Sequence, residues 1–379
     1  MNNPAQPRIA RLTADPTRSA ALPGYLYSDP AVFAEEKRRL FHKSWQFVAH
    51  ESELPNIGDY VCATIVDQSV FVLRGQDGAV RAFFNVCQHR AHELLTGRGN
   101  VRSVIVCPYH AWSYELDGSL RAARATRSLP DFDPQEYGLA PVRLERHLGF
   151  LFINLDPEAP SLATLAGEMF ADMARELPWL GELAVNPDES FIAERESLLS
   201  ANWKVMAENC LECYHCAPAH KAYADMIDVG HYELTRHGAW MKSAAPLRRG
   251  DSSAYRVGPD EPVQYNAFWH LFPNIEFAVM PGSRSLSVFH FTPVDAERTR
   301  IHWVALTMPG ETLPQDRLNY LGRVLWLEDA AICESVHRGL KSLGYRRGRF
   351  VAGTDHASIS EINVHAFQRR YAEAMGLAL

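Results

Sequence analysis

Two short segments, Cys87-Gln-His89 and Cys107-Pro-Tyr-His110, decide how the first half of this chain is read. Each offers one cysteine and one histidine from a tight loop, and seventeen residues lie between the two. Four such ligands suit one zinc ion, for which two Cys and two His form a common tetrahedral set. They also suit a [2Fe-2S] cluster in which two thiolates bind one iron and two imidazoles the other. The pairing of each Cys with its own nearby His favours the cluster, because each loop then gives one ligand to each iron. Exchanging two anionic thiolates for neutral imidazoles raises the reduction potential, so such a centre accepts an electron readily.

Working outward, Asp29-Pro30 opens a helical pattern running to Trp45, with Asp29 as N-cap and Pro30 at the first helical position. Residues before it are polar and contain prolines, which reads as an extended arm. Val61 to Val66, Val70 to Leu73 and Val80 to Phe84 read as strands, with a turn at Gln76-Asp77-Gly78. Asp117-Gly118 signals another hairpin soon after the second cluster loop. Leu148 to Leu155 reads as a closing strand, and Asp156-Pro-Glu-Ala-Pro160 as a boundary. The cluster loops therefore fall at the tips of an antiparallel β domain.

A second constellation follows in Asn202-Trp-Lys-Val-Met-Ala-Glu-Asn209-Cys-Leu-Glu212-Cys-Tyr-His215-Cys-Ala-Pro218-Ala-His220. Residues five apart on a straight helix are rotated by about 140°, so His215 and His220 could not both aim at one ion from one helix. Pro218 disfavours helical geometry just before itself. The expectation is a helix from residue 203 through 215, broken near Pro218 so that His220 folds back. Glu212, one turn before His215, would share its face. Cys210, Cys213 and Cys216 open a ferredoxin-like run, but His220 stands where the fourth cysteine would be, and the three read as small buried hydrophobes.

With both motifs in this order, the chain from about residue 40 onward resembles the large (α) subunit of the Rieske non-haem iron oxygenases. That resemblance implies an α+β fold, with an N-terminal antiparallel β Rieske [2Fe-2S] domain followed by a catalytic domain of antiparallel sheet plus helices, helix-grip-like. The partition read from the sequence is 1–40 for arm and helix, 41–156 for the Rieske domain and 157–379 for the catalytic domain. The resemblance assigns Cys87, His89, Cys107 and His110 to the cluster. It assigns His215, His220 and Asp329, the last in Trp326-Leu-Glu-Asp329, to a mononuclear Fe(II). Two His and one carboxylate leave open positions on one face of the iron, as dioxygen chemistry requires. Asn209 is placed near that iron. Glu212 stands where the family usually has Asp, the carboxylate linking a mononuclear-site His to a Rieske His of the neighbouring subunit. The family arrangement is a homotrimer whose electrons come from NAD(P)H through a separate flavin/iron–sulfur reductase, and no nicotinamide fingerprint is evident here.

Glu212-Cys-Tyr-His-Cys is similar to the subgroup oxidising quaternary-ammonium compounds of carnitine or betaine type, Glu included. The reading is an oxygenase that uses O2 to hydroxylate or N-demethylate such a substrate. The alternatives are an aromatic-ring hydroxylase or ether O-demethylase and, without catalysis, a Rieske electron carrier. A trimethylammonium group calls for an aromatic cage; Phe268, Trp269, Phe272, Phe277, Phe289 and Trp303 are available. Beyond the first domain the pattern gives helices near 162–176, 313–340 and 359–377, and strands near 274–280, 285–293 and 299–307. A net charge of −7 without a basic block argues against nucleic acid. Seven cysteines, several grouped with histidines, suit metal chemistry in a reducing compartment rather than a disulfide framework. Without a signal-like N-terminus or a long apolar run, the expected location is cytoplasmic, with no membrane partner.

Overall fold

The computed structural model describes residues 11–186, 196–248, 250, 252–353 and 358–378. The first ten residues of the expected arm lie outside this set. The chain divides into two compact units, Phe41–Leu162 and a second formed by Met1–Leu40 with Ala163–Leu379. The partition therefore differs from the sequence reading in two respects: the segment up to Leu40 belongs to the catalytic unit, and the boundary after the first unit falls at residue 162.

The first difference has a visible cause. Asp29 caps the helix Pro30–Arg39, accepting from the Ala31 amide at 2.8 Å with Pro30 in the first turn. The helix stops at Arg39, short of Trp45, and it carries Glu36, which is fully buried. A buried carboxylate needs partners. Glu36 has three: the Trp203 indole N–H at 3.0 Å, the Lys204 ammonium at 2.5 Å and the Tyr371 hydroxyl at 2.7 Å. The N-terminal helix is thereby fixed to the helix Trp203–Cys210 and to the C-terminal helix Ile362–Met375.

The Phe41–Leu162 unit holds ten strands: β1 Gln46–His50, β2 Asp59–Ile65, β3 Gln68–Arg74, β4 Val80–Phe84, β5 Arg98–Asn100, β6 Ile105–Val106, β7 Ser113–Tyr114, β8 Leu120–Ala122, β9 Pro141–His147 and β10 Phe150–Asn154. Seven form an antiparallel sheet in the order β1-β10-β9-β4-β3-β2-β5, and β6-β7-β8 form a second sheet. In β3, Phe71 and Leu73 enter one apolar cluster while Val70 and Val72 enter another. Both faces are covered, which is why this strand reads as an unbroken apolar run. The first cluster also contains Cys87 and Cys107, so the metal loops are anchored in the domain core.

The catalytic unit is built on an eight-stranded antiparallel sheet. Its strands are β11 Ala184–Val185, β12 Glu196–Leu199, β13 Glu233–His237, β14 Trp240–Pro246, β15 Tyr265–Leu271, β16 Ile275–Val279, β17 Ser285–Pro293 and β18 Thr299–Thr307. The order is β11-β18-β17-β16-β15-β14-β13, with β12 also pairing β18. β16 to β18 lie where the pattern predicts them, joined by a turn in which the Val294 amide donates to Arg298 O. β13, β14 and β15 lack that clean pattern: β13 has a single aliphatic residue, Leu234, and Lys242 and Asn266 interrupt the apolar runs of β14 and β15. The helix Leu162–Glu176 precedes the sheet. The expected helix 313–340 is divided into Gln315–Asn319, a π-helical turn Tyr320–Leu325 and Trp326–Leu340. No described helix is long and apolar enough to cross a membrane.

Candidate metal centres and substrate cavity

The two cluster loops close by the same pair of backbone hydrogen bonds. Cys87 N–H donates to His92 O at 2.9 Å and Ala91 N–H to Cys87 O at 3.0 Å; Cys107 N–H donates to Trp112 O at 2.8 Å and Ala111 N–H to Cys107 O at 3.0 Å. Ala91 and Ala111 both carry positive φ, 54° and 59°, a conformation that non-glycine residues seldom adopt and that clusters at functional loops. One device is used twice. Both thiols are buried, and the rings of His89 and His110 stand 4.6 Å apart. His110 Nδ1 is buried without a hydrogen-bond partner, as suits an atom whose lone pair is meant for a metal. The four residues fit a [2Fe-2S] cluster.

Aromatic rings cover these ligands. Tyr109 lies over His110 with centroids 3.7 Å apart, and Trp112 stacks on His89 at 4.9 Å and 11°. The Tyr114 hydroxyl accepts from the Gln88 amide at 3.0 Å and sits 3.2 Å from Cys87 Sγ, placed to donate to a thiolate.

The second site departs from its expected local structure. The helix ends at Cys210 instead of running through His215, so Glu212 and His215 are not on one helical face. Residues 211–215 form a turn held by Glu212, whose Oε2 accepts from the amides of Tyr214 and His215. His215 then opens a one-turn helix, Cys216–Ala219, and His220 closes it. Pro218 sits inside that single turn, where its missing N–H costs no helical bond. The same turn brings the Cα atoms of Cys213 and Cys216 to 4.9 Å, and these two cysteines form a disulfide. This corrects the reading of Cys210, Cys213 and Cys216 as three separate hydrophobes; Cys210 remains free.

His215, His220 and Asp329 converge: their donor atoms lie within 4.8 Å of one another, and the imidazole rings are 5.0 Å apart at 83°. Asp329 Oδ1 is 2.9 Å from His220 Nε2 and 3.5 Å from His215 Nε2. Each ring has a carboxylate behind it. Glu212 Oε1 lies 2.5 Å from His215 Nδ1, and Glu328 Oε2 lies 2.8 Å from His220 Nδ1. These contacts fix both rings with Nε2 toward Asp329, the role that carboxylates play behind metal-bound histidines. Burial would lower the pKa of His215, but Asp329 and Glu212 outweigh it and raise it to about 9; Asp329 and Glu328 raise His220 likewise. Burial would raise Asp329, yet the two imidazoles hold it below the ordinary carboxylate range. The set is shaped for positive charge, and two imidazoles with one carboxylate fit a non-haem Fe(II). Glu334, the other nearby carboxylate, instead accepts from the Ser200 amide at 3.0 Å. Asn209 is at hand, with Nδ2 3.5 Å from His215 Nε2.

A cavity of about 480 Å³ opens on this set, with His215, His220 and Asp329 in its wall. Of the six aromatic residues considered from sequence, Phe268, Phe289 and Trp303 line it. The other three are used elsewhere: the Trp269 indole donates to Asp172 at 2.8 Å, Phe272 packs on Phe367 and Phe277 on Phe170. Sequence reasoning missed Glu276, a single acidic residue in the apolar run of β16, and the place of Glu328 behind His220. Glu276 also lines the cavity.

Residues 44–133 match the Rieske [2Fe-2S] domain, and residues 182–377 match the catalytic domain of the ring hydroxylating alpha subunit. The chain belongs to the Rieske non-haem iron oxygenases. As a member it carries a Rieske [2Fe-2S] cluster and a mononuclear iron, and works with electrons from a reductase. Among its relatives, the carnitine monooxygenase oxygenase subunit of Acinetobacter pittii is 37% identical over 95% of this chain and 96% of its own length. That of Escherichia coli K12 is 36% identical over 95% of each. The chloroplastic choline monooxygenase of Beta vulgaris is 30% identical over 87% of this chain and 72% of its own. Among solved structures, the quaternary ammonium Rieske monooxygenase CntA bound to L-carnitine superposes with a TM-score of 0.84 at 33% identity, over 98% of this chain and 99% of that one. A Rhodococcus naphthalene 1,2-dioxygenase, at 20% identity and TM-score 0.77 over 94% of each chain, shares the fold.

Proposed function

We propose that this chain is the oxygenase component of a monooxygenase acting on a small quaternary-ammonium compound of carnitine or betaine type. The observation that carries this reading is the full-length similarity to carnitine monooxygenase oxygenase subunits. The cavity supports it: Phe268, Phe289 and Trp303 offer π faces to a trimethylammonium group, and Arg323 in the same wall offers charge to a substrate carboxylate. His215, His220 and Asp329 would hold the mononuclear iron, and Cys87, His89, Cys107 and His110 the cluster. Bound there, the iron would supply O2 activation for a reaction in which one oxygen atom enters a substrate C–H bond and the other leaves as water, with two electrons and two protons drawn from outside. The chain's own contribution is to fix the two imidazoles through Glu212 and Glu328, and to keep the reacting carbon in a largely apolar enclosure.

The electron path requires a homotrimer in this reading, with Glu212 bridging His215 to His110 of the adjacent subunit. Glu212 already grips His215 Nδ1 and is 12% exposed, so part of it is open to an approaching subunit. A head-to-tail ring closing on itself suits such a contact. Electrons would come from NAD(P)H through a flavin/iron–sulfur reductase, and the protein would work in the cytoplasm. Aerobic turnover with a matched reductase, on a panel of carnitine, γ-butyrobetaine, choline and methoxybenzoates, tests the reading by product mass. An oxygenated or cleaved quaternary amine is expected. Turnover of methoxybenzoates alone would favour the aromatic ether reading, and O2 consumption with none of them would reject both.

A further inference from the structure

The register of the catalytic sheet places His270, Glu276, Phe289 and Trp303 on one rung across four strands. His270 pairs with Glu276, Glu276 with Phe289, and Phe289 with Trp303. Directly opposed residues share a face of the sheet, and here the last three line the cavity. The Phe289 and Trp303 rings are stacked, with centroids 5.6 Å apart and planes 20° from parallel. Glu276 is 2% exposed and His270 1%, with His270 Nδ1 2.8 Å from Glu276 Oε2.

His270 Nε2 is buried without a hydrogen-bond partner. Its ring therefore reaches the carboxylate through Nδ1 alone. Ionised, Glu276 would place a negative charge in a wall that is otherwise mostly apolar. Two hydrophobic residues would pack there without a desolvation cost. A buried anion needs an occupant of opposite sign.

We infer that Glu276 is the anion that receives the quaternary nitrogen of the substrate, with Phe289 and Trp303 as the aromatic faces beside it and His270 as the positioning residue behind it. This rests on the quaternary-ammonium reading above and extends it to a named subsite. A trimethylammonium group has no N–H, so hydrogen bonding cannot recognise it; charge and π faces can. The carboxylate is what separates this cation from a neutral group of the same shape. Burial raises the carboxyl pKa and the His270 contact opposes that rise; a fixed positive charge in the cavity holds the group ionised.

The test compares γ-butyrobetaine with 5,5-dimethylhexanoate, in which carbon replaces the nitrogen, by calorimetry on the iron-loaded full-length protein. Wild type should bind the cation at least tenfold more tightly than the isostere. In Glu276→Gln, affinity for the cation should fall tenfold or more while the isostere changes less than twofold, so that the preference collapses. His270→Asn should reduce the preference by a smaller factor, since the carboxylate remains but loses its orienting partner. An unchanged preference in Glu276→Gln, or an equal loss for both ligands, overturns the subsite while leaving the quaternary-ammonium reading standing on the wild-type result. A wild type that shows no preference for the cation overturns both.

Discussion

The two metal centres of this chain differ in what holds their ligands. The cluster ligands come from two nearby loops, each closed by its own backbone hydrogen bonds and anchored by a buried cysteine. The mononuclear set joins His215 and His220 to Asp329 from a distant helix, and its imidazoles are held by the side chains of Glu212 and Glu328. A centre framed by backbone keeps its shape when surface side chains change. A centre framed by carboxylates depends on those particular side chains, and on the packing that brings two remote segments together.

The comparison can be broken most forcefully at the cluster. His110→Cys replaces a neutral ligand with an anionic one in a loop whose backbone stays intact. Its potential should fall by roughly 200 mV or more toward ferredoxin values, with a changed EPR spectrum of the reduced state. An unaltered Rieske signal at the original potential would show that His110 is not a ligand.

The next largest effect concerns packing beneath the mononuclear set. Glu36→Ala leaves the Lys204 ammonium buried without its carboxylate, among the rings of Tyr27, Trp203 and Tyr371. Removing one partner of such a pair costs about 3–5 kcal/mol. Chemical denaturation should show that loss for the catalytic unit, with the visible absorption of the cluster less affected.

The two supporting carboxylates offer a finer test. Glu212→Gln and Glu328→Gln should each weaken retention of the mononuclear iron by about 10–100-fold, measured by competition with a chelator. Glu212→Gln should have the greater effect. Glu212 is 12% exposed and also holds two backbone amides, whereas Glu328 is 40% exposed. Equal losses would mean that the turn at 211–215 is set by something other than Glu212.

The last effect is a pH dependence. Glu208 accepts from the Tyr27 hydroxyl at 2.7 Å and from Gln368 Nε2 at 3.1 Å, and burial raises its pKa from 4.5 to about 7. Between those pH values the folded chain keeps a proton that the unfolded chain releases, so this group's contribution to stability falls as pH rises from about 4.5 to 7 and levels off above. At about 1.4 kcal/mol per pH unit the change amounts to roughly 3 kcal/mol. Glu208→Gln should remove that part of the slope in denaturation measured across the range.

What sequence could reveal follows the same division. The Cys and His offsets of the cluster loops are local, so Cys87, His89, Cys107 and His110 could be picked out directly. The positive φ of Ala91 and Ala111 left no mark, because alanine is not a residue that announces a left-handed turn. His215 and His220 were legible as a pair, but the helix drawn through them was not formed. Glu212 ends it by capping the following turn, and helix propensity does not register such a side-chain contact. The place of Glu328 behind His220 was not legible because adjacent helical residues point in different directions. The two carboxylates nevertheless reach opposite nitrogens of one ring, His220. The π-helical turn at Tyr320–Leu325, just before Asp329, had no sequence signal; such turns often accompany functional sites.

The central claim is that His215, His220 and Asp329 form an iron site separate from the cluster. Its most direct test is metal analysis of Asp329→Ala alongside the EPR spectrum of its reduced cluster. The account predicts loss of about one iron per chain and of all turnover, with two irons and an unchanged Rieske spectrum retained. Full iron content in Asp329→Ala, or its loss in Glu334→Ala instead, would contradict it.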